Sequence, residues 1–97
     1  MLAAFGLRQP FILSVGTIEP RKNLPILFDA LALGPPSIQL AVIGRSGWDA
    51  SAILGKIDEL GLSGRVVRLG FVPDDVLPRL MTSAAVMVYP SRYEGFG

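Results

Sequence analysis

Four short apolar runs constrain this chain more than any other feature: "FILSV" (11–15), "IQLAVI" (38–43), "RVVRLG" (65–70) and "VMVY" (86–89). Each is rich in Val, Ile, Leu or aromatic residues. Three are nearly continuous in apolar character, the pattern of strands covered on both faces. Between them lie three stretches of helical periodicity. Leu24, Leu27, Phe28 and Leu31 share one face, Ile53, Ile57 and Leu60 a second, and Val76, Leu80 and Ala84 a third. Boundaries are marked as well. Asn23 suits an N-cap ahead of Pro25 in a first turn, Asp49 can cap the second helix, and Gly61 can close it in a left-handed conformation. Pro78 is compatible only with a first turn, which puts the third cap near Asp75. The expected order is β-α-β-α-β-α-β, an α/β chain with a partial Rossmann-like parallel sheet, right-handed crossovers and no internal repeats.

Ninety-seven residues hold one domain at most. With 51% hydrophobic and 18% charged residues the chain can bury a core. A net charge of +1 offers no broad footprint for nucleic acid or an anionic membrane, so any anion site is local. Cysteine and histidine are both absent, which excludes disulfides and thiolate metal sites and removes the commonest general base. Carboxylates, Lys, Arg, hydroxyls and backbone amides are left to do any chemistry. "MLAAFGLRQP" lacks the basic start of a signal peptide, and no apolar run is long enough to span a bilayer. The expectation is a cytoplasmic protein. Its mean hydropathy of +0.50 is high for so small a chain, so it is either nearly all core or exposes surface that another part should cover.

Ligands of open parallel sheets bind beyond the carboxyl ends of the strands. Those ends lead into residues 16–23, 44–49, 70–75 and 90–97. In the first loop Gly16 allows a sharp turn, and Arg21 and Lys22 precede a helix start. Positive charge is unfavourable there unless a bound phosphate meets amides and cations together, or Glu19 and solvent neutralise the pair. Neither G-x-G-x-x-G nor a P-loop signature occurs, which argues against a dehydrogenase or a P-loop kinase. In "GRSGWD", Gly44, Arg45 and Ser46 could bring amides, a guanidinium and a hydroxyl to a polar ligand. The plainer reading is a glycine-bounded turn with Trp48 packed on the sheet. "GFVPDD" reads as a strand exit and a helix cap, its acid pair capping and solvated, with no third metal ligand nearby. In "PSRYEGFG", Glu94 beside Gly95, Phe96 and Gly97 could accept hydrogen bonds from sugar hydroxyls next to a glycine-lined cradle, or be an exposed turn carboxylate.

Taken together, "VGTIEPRKNL", "VIGRSGW" and "VVRLGFVPDDVLPRLMTSAAVMVYPSRYEGFG" resemble glycosyltransferase family 4, with the GT-B architecture, over nearly all of residues 8–97. The resemblance implies a retaining glycosyltransferase whose C-terminal domain binds a nucleotide-diphosphate sugar and whose N-terminal domain supplies most of the acceptor site. Residues 1–9 then follow an interdomain linker, and residues 10–97 are a partial donor-binding Rossmann-like domain, the first half of the C-terminal domain. Lys22 is similar to the lysine that contacts the donor diphosphate, with Arg21 beside it. Thr17 stands where many members carry a second diphosphate-binding arginine. Glu94 resembles the first acid of the E-x7-E motif, near the donor sugar. The second acid would fall eight residues further on, past Gly97. Gly16, Thr17, Gly44, Arg45, Val72, Gly95, Phe96 and Gly97 complete the implied donor site.

The resemblance further implies charge stabilisation of the leaving diphosphate by Lys22 and backbone amides, with attack on the same face and no acid–base histidine. No metal or other cofactor is expected. The implied activity is that of a mannosyl- or related hexosyltransferase of glycan biosynthesis, acting on a glycan or lipid-linked acceptor. It would be peripheral at the inner membrane face, and its N-terminal domain and distal C-terminal half would lie outside these residues. The 97-residue piece alone is expected to be inactive. The alternative is an inactive Rossmann-like module that self-associates through an exposed sheet edge or needs a complementary chain.

Overall fold

The computed structural model describes residues 2–18, 23–47 and 49–88. A 3-10 turn, Leu2–Phe5, leads into β1 (Phe11–Val15), α1 (Leu24–Leu33), β2 (Gln39–Ile43), α2 (Ala50–Glu59), β3 (Val66–Gly70), α3 (Leu77–Ser83) and β4 (Val86–Met87). All strand pairs are parallel and the sheet order is β3-β2-β1-β4. The chain thus builds outward from β1 to β3 and then returns to the other side of β1. That reversal puts the topological switch point between β1 and β4.

Alternation along the strands feeds two cores. On one face Leu40, Val42 and Val66 pack with Leu24, Leu27, Phe28 and Leu31 of α1 and Ala50, Ile53 and Ile57 of α2. On the other, Phe11, Leu13, Ala41 and Ile43 pack with Leu7, Val72 and Leu80, and Leu2, Phe5, Val76 and Ala84 close around them. β2, flanked by strands and covered on both faces, is buried at every residue. Its continuous apolar run is the sequence form of that position. Residues 2–9 are part of this body. Gln39, 3% exposed, donates from Nε2 to Gly6 O (3.1 Å), its Oε1 accepts from the Arg8 N–H (2.8 Å), and Leu7 is buried.

The helix starts differ from expectation. Asn23 and Asp49 stand at the cap positions of α1 and α2, but both have left-handed backbones (φ 58° and 60°) and neither makes a side-chain cap hydrogen bond. A capping side chain needs an extended backbone to reach back to the second or third helical N–H. Asn and Asp serve here as the residues that tolerate the left-handed region. The third cap is Val76, one residue later than expected, because the Pro73 carbonyl accepts from both Val76 N–H (2.9 Å) and Leu77 N–H (3.1 Å) and closes a turn first. Asp74 and Asp75 are exposed in that turn and cap nothing. Gly61 does close α2 (φ 69°): its N–H reaches Asp58 O and the Leu62 N–H reaches Ile57 O, the paired bonds of a Schellman motif. Among the described residues no helix is long and apolar enough to cross a membrane.

Candidate functional site

Three strand exits converge at the carboxyl edge of the sheet. β1 and β2 each end in a glycine of nearly the same conformation, Gly16 at φ 145° and Gly44 at φ 146°. The loops that follow stay paired. Gly16 N–H donates to Ile43 O (2.8 Å), Ile18 N–H to Arg45 O (2.9 Å) and Gly47 N–H to Ile18 O (2.8 Å), so a short parallel ribbon extends beyond the sheet. Ile18 is fully buried and seats that ribbon on the α1–α2 core. The backbones approach so closely at the glycines that a Cβ on Gly44 would lie 1.8 Å from Gly16 O.

β3 leaves the sheet by another device. Ile43 pairs with Gly70 although Val42 pairs with Arg68, so Leu69 is an extra residue and the strand bulges. Gly70 then turns at φ 62°. Strict alternation would send residue 71 to the side of Val67 and Leu69. The bulge and turn invert this parity, so Val72 enters that core and Phe71 is left 87% exposed.

Together these exits line a cleft of about 560 Å³, walled by Val15, Gly16, Thr17, Ile43, Gly44, Arg45, Gly70, Phe71 and Val72. Five residues singled out from the sequence therefore share one cavity: Gly16, Thr17, Gly44, Arg45 and Val72. Val72 contributes mainly from the core side, being buried. Arg45 is exposed and is the one ionisable residue in this lining, so the described wall carries positive charge, a hydroxyl from Thr17 and an aromatic ring. That combination suits an anionic ligand with an attached ring system. No three His, Cys, Asp or Glu side chains gather as a metal site among the described residues.

Arg21, Lys22, Trp48, Glu94, Gly95, Phe96 and Gly97 lie outside the described residues. The strands preceding the loops of Lys22 and Glu94 are neighbours: β1 pairs with β4 through Ile12↔Val86 and Leu13↔Met87. Three residues not singled out as site residues shape the cleft. Phe71 is inconspicuous because a bulge that inverts strand parity leaves no composition signal. Ile18 was visible as an apolar residue in an otherwise polar loop. Arg68, a charge inside an apolar strand, donates from Nη2 to Ser46 Oγ at 3.1 Å.

Comparison with known proteins places this geometry. The chain is 39% identical over 93 residues to the O-antigen chain mannosyltransferase B of Escherichia coli, covering 92% of this chain and 24% of that protein. Among solved structures, the sucrose-phosphate synthase of Thermosynechococcus elongatus superposes with a TM-score of 0.84 at 32% identity, covering 98% of this chain and 26% of that one. Anabaena HepE in complex with UDP-glucose gives 0.81 at 30% identity, covering 98% and 27%. The chain spans about a quarter of each of these proteins. The fold is α/β, a part of the Rossmann-like C-terminal domain of GT-B glycosyltransferases. The family model for glycosyl transferases group 1 matches residues 3–97, and the chain belongs to that family.

Proposed function

We propose that this domain binds the nucleotide-diphosphate sugar of a retaining hexosyltransferase of glycan biosynthesis, with mannose as the transferred sugar. The observation that carries the reading is the cleft at the carboxyl edge, where Gly16, Thr17, Gly44 and Arg45 converge with the exposed Phe71. The mannosyltransferase relative and the UDP-glucose complex of a similar structure support it. In this reading the glycines let backbone amides approach the donor, Arg45 and Lys22 face its phosphates, and Glu94 accepts hydrogen bonds from the sugar. Charge that develops on the leaving diphosphate is stabilised by these fixed groups, which need no reorganisation as it forms. The acceptor, a glycan or lipid-linked saccharide, is bound mostly by residues outside these 97, at the inner face of the membrane.

Isothermal titration of the intact protein with UDP and GDP tests the reading. Lys22→Ala is expected to weaken the bound nucleotide about tenfold or more, the size of a charge-assisted hydrogen bond. Phe71→Ala should weaken binding without loss of stability, since that ring is exposed before binding. Unchanged affinity in both variants would overturn the assignment.

A second reading concerns the 97-residue polypeptide on its own. Val86 of β4 is 49% exposed, and β4 pairs only with β1 among the described residues. The isolated polypeptide then self-associates through that edge, whatever the intact protein does.

A further inference from the structure

Arg68 has no part in either core. It shares a strand face with Val66, yet Val66 is buried under α2 while Arg68 is exposed. Among the described residues its side chain makes one hydrogen bond, to Ser46 Oγ, reached from β3 across the exit of β2. Ser46 belongs to the loop that brings Gly44 and Arg45 to the cleft. From the β1 side that loop is already held by backbone bonds, Ile18 N–H to Arg45 O and Gly47 N–H to Ile18 O. From the β3 side its hold is Gly44 N–H to Gly70 O at 3.0 Å and, beyond the glycine, the Arg68 side chain. A glycine-flanked loop has many conformations to lose when it closes on a ligand. A side chain that holds it beforehand removes part of that cost.

We propose that Arg68 is a positioning residue for the nucleotide-sugar donor: by holding Ser46 it fixes the loop from which Arg45 meets the diphosphate. The hydrogen bond also sets the hydroxyl. Ser46 Oγ accepts from the guanidinium, so its own O–H remains free to donate toward an anion and is polarised to do so. Arg68 itself does not touch the donor. The proposal rests on the cleft being the donor site, as proposed above.

The test is a double-mutant cycle in the intact protein, with UDP and GDP as probes in isothermal titration and thermal unfolding recorded in parallel. Arg68→Ala and Ser46→Ala are each expected to weaken nucleotide binding by about three- to fivefold, the scale of one net hydrogen bond. The double variant should be no weaker than Ser46→Ala alone, because that variant already removes the Arg68 contact along with the hydroxyl. Arg68→Lys should recover part of the loss. An Arg68→Ala protein with wild-type affinity, or additive losses in the double variant, overturns the proposal while the donor site stands. If Arg68→Ala lowers the unfolding temperature, Ser46→Ala decides, since it removes only an exposed hydroxyl: wild-type affinity there overturns the proposal, and a loss that adding Arg68→Ala does not deepen supports it. A wild-type protein that binds neither nucleotide overturns the donor-site reading itself.

Discussion

Gly44 shows how closely the site depends on single positions. At φ 146° it lies outside the region open to side chains, and a Cβ would sit 1.8 Å from Gly16 O and 2.6 Å from Gly16 C. Both obstacles are backbone, so no rotamer change can relieve them. Gly44→Ala is expected to cost about 2–4 kcal/mol, from a strained conformation plus displacement of a paired loop. Urea denaturation would read this as a fall in midpoint at constant slope, and a stability within about 0.5 kcal/mol of wild type would contradict the close approach. Gly61→Ala is the natural control: its φ is 69° but a Cβ would meet nothing within 4 Å, so only the conformational penalty of about 1 kcal/mol applies. The sequence made both glycines visible, Gly44 as a turn marker after an apolar run and Gly61 as the left-handed close of a helix. It did not distinguish a glycine that turns the chain from one that another strand presses against, because the pressing residue, Gly16, lies 28 positions away (44 minus 16). Phe71 was hidden for a related reason. Its exposure comes from the bulge at Leu69, and a bulge is a property of two strands in register, not of one.

Elements were the most legible level, since period is a local property of the chain. The α1 positions expected on one face, Leu24, Leu27, Phe28 and Leu31, are the buried residues of that helix. Strand cores were equally plain, while the caps were placed by residue type and missed the backbone geometry that decides whether a side chain can cap. The least legible element contact is the one that secures residues 2–9. Gln39 opens β2 inside an apolar run, where a polar residue reads as a strand end. Buried, it instead uses both halves of its amide on that segment, accepting from Arg8 N–H and donating to Gly6 O. A Gln39→Leu substitution leaves an N–H and a carbonyl without their partner, an expected cost of about 1–3 kcal/mol. Because the loss falls on one segment, hydrogen exchange should show faster exchange at Arg8 while Leu13 and Val42, in the central strands, change only with global stability. Equal acceleration at all three sites would mean that the amide clip holds the whole sheet and not the lead-in segment.

At the scale of the whole molecule, strand order decides what is covered. The alternation of strand and helix announced a parallel sheet, but the order β3-β2-β1-β4 is a long-range outcome. It leaves β1 and β2 internal and puts β4, only two residues long, at the rim of the described sheet. The difference shows in burial: β2 is closed at all five positions, whereas Val86 is 49% exposed and Met81 on the adjoining α3 is 41% exposed. This accounts for part of the mean hydropathy of +0.50, since apolar residues are spent on surface as well as on the two cores. An edge strand with an apolar side chain and free ladder groups is a template for pairing. The isolated 97-residue polypeptide should therefore associate as its concentration rises, and Val86→Lys, which adds a charge at that edge without touching the buried core, should shift the association to roughly tenfold higher concentration. Light scattering over a concentration series distinguishes the outcomes. A wild-type monomer at every concentration would mean the edge is already closed, and equal association of wild type and Val86→Lys would move the contact to the Met81 face of α3 or elsewhere. A shift in the variant with an unchanged unfolding midpoint would locate the sticking surface at β4, beside the switch point that the carboxyl-edge cleft adjoins.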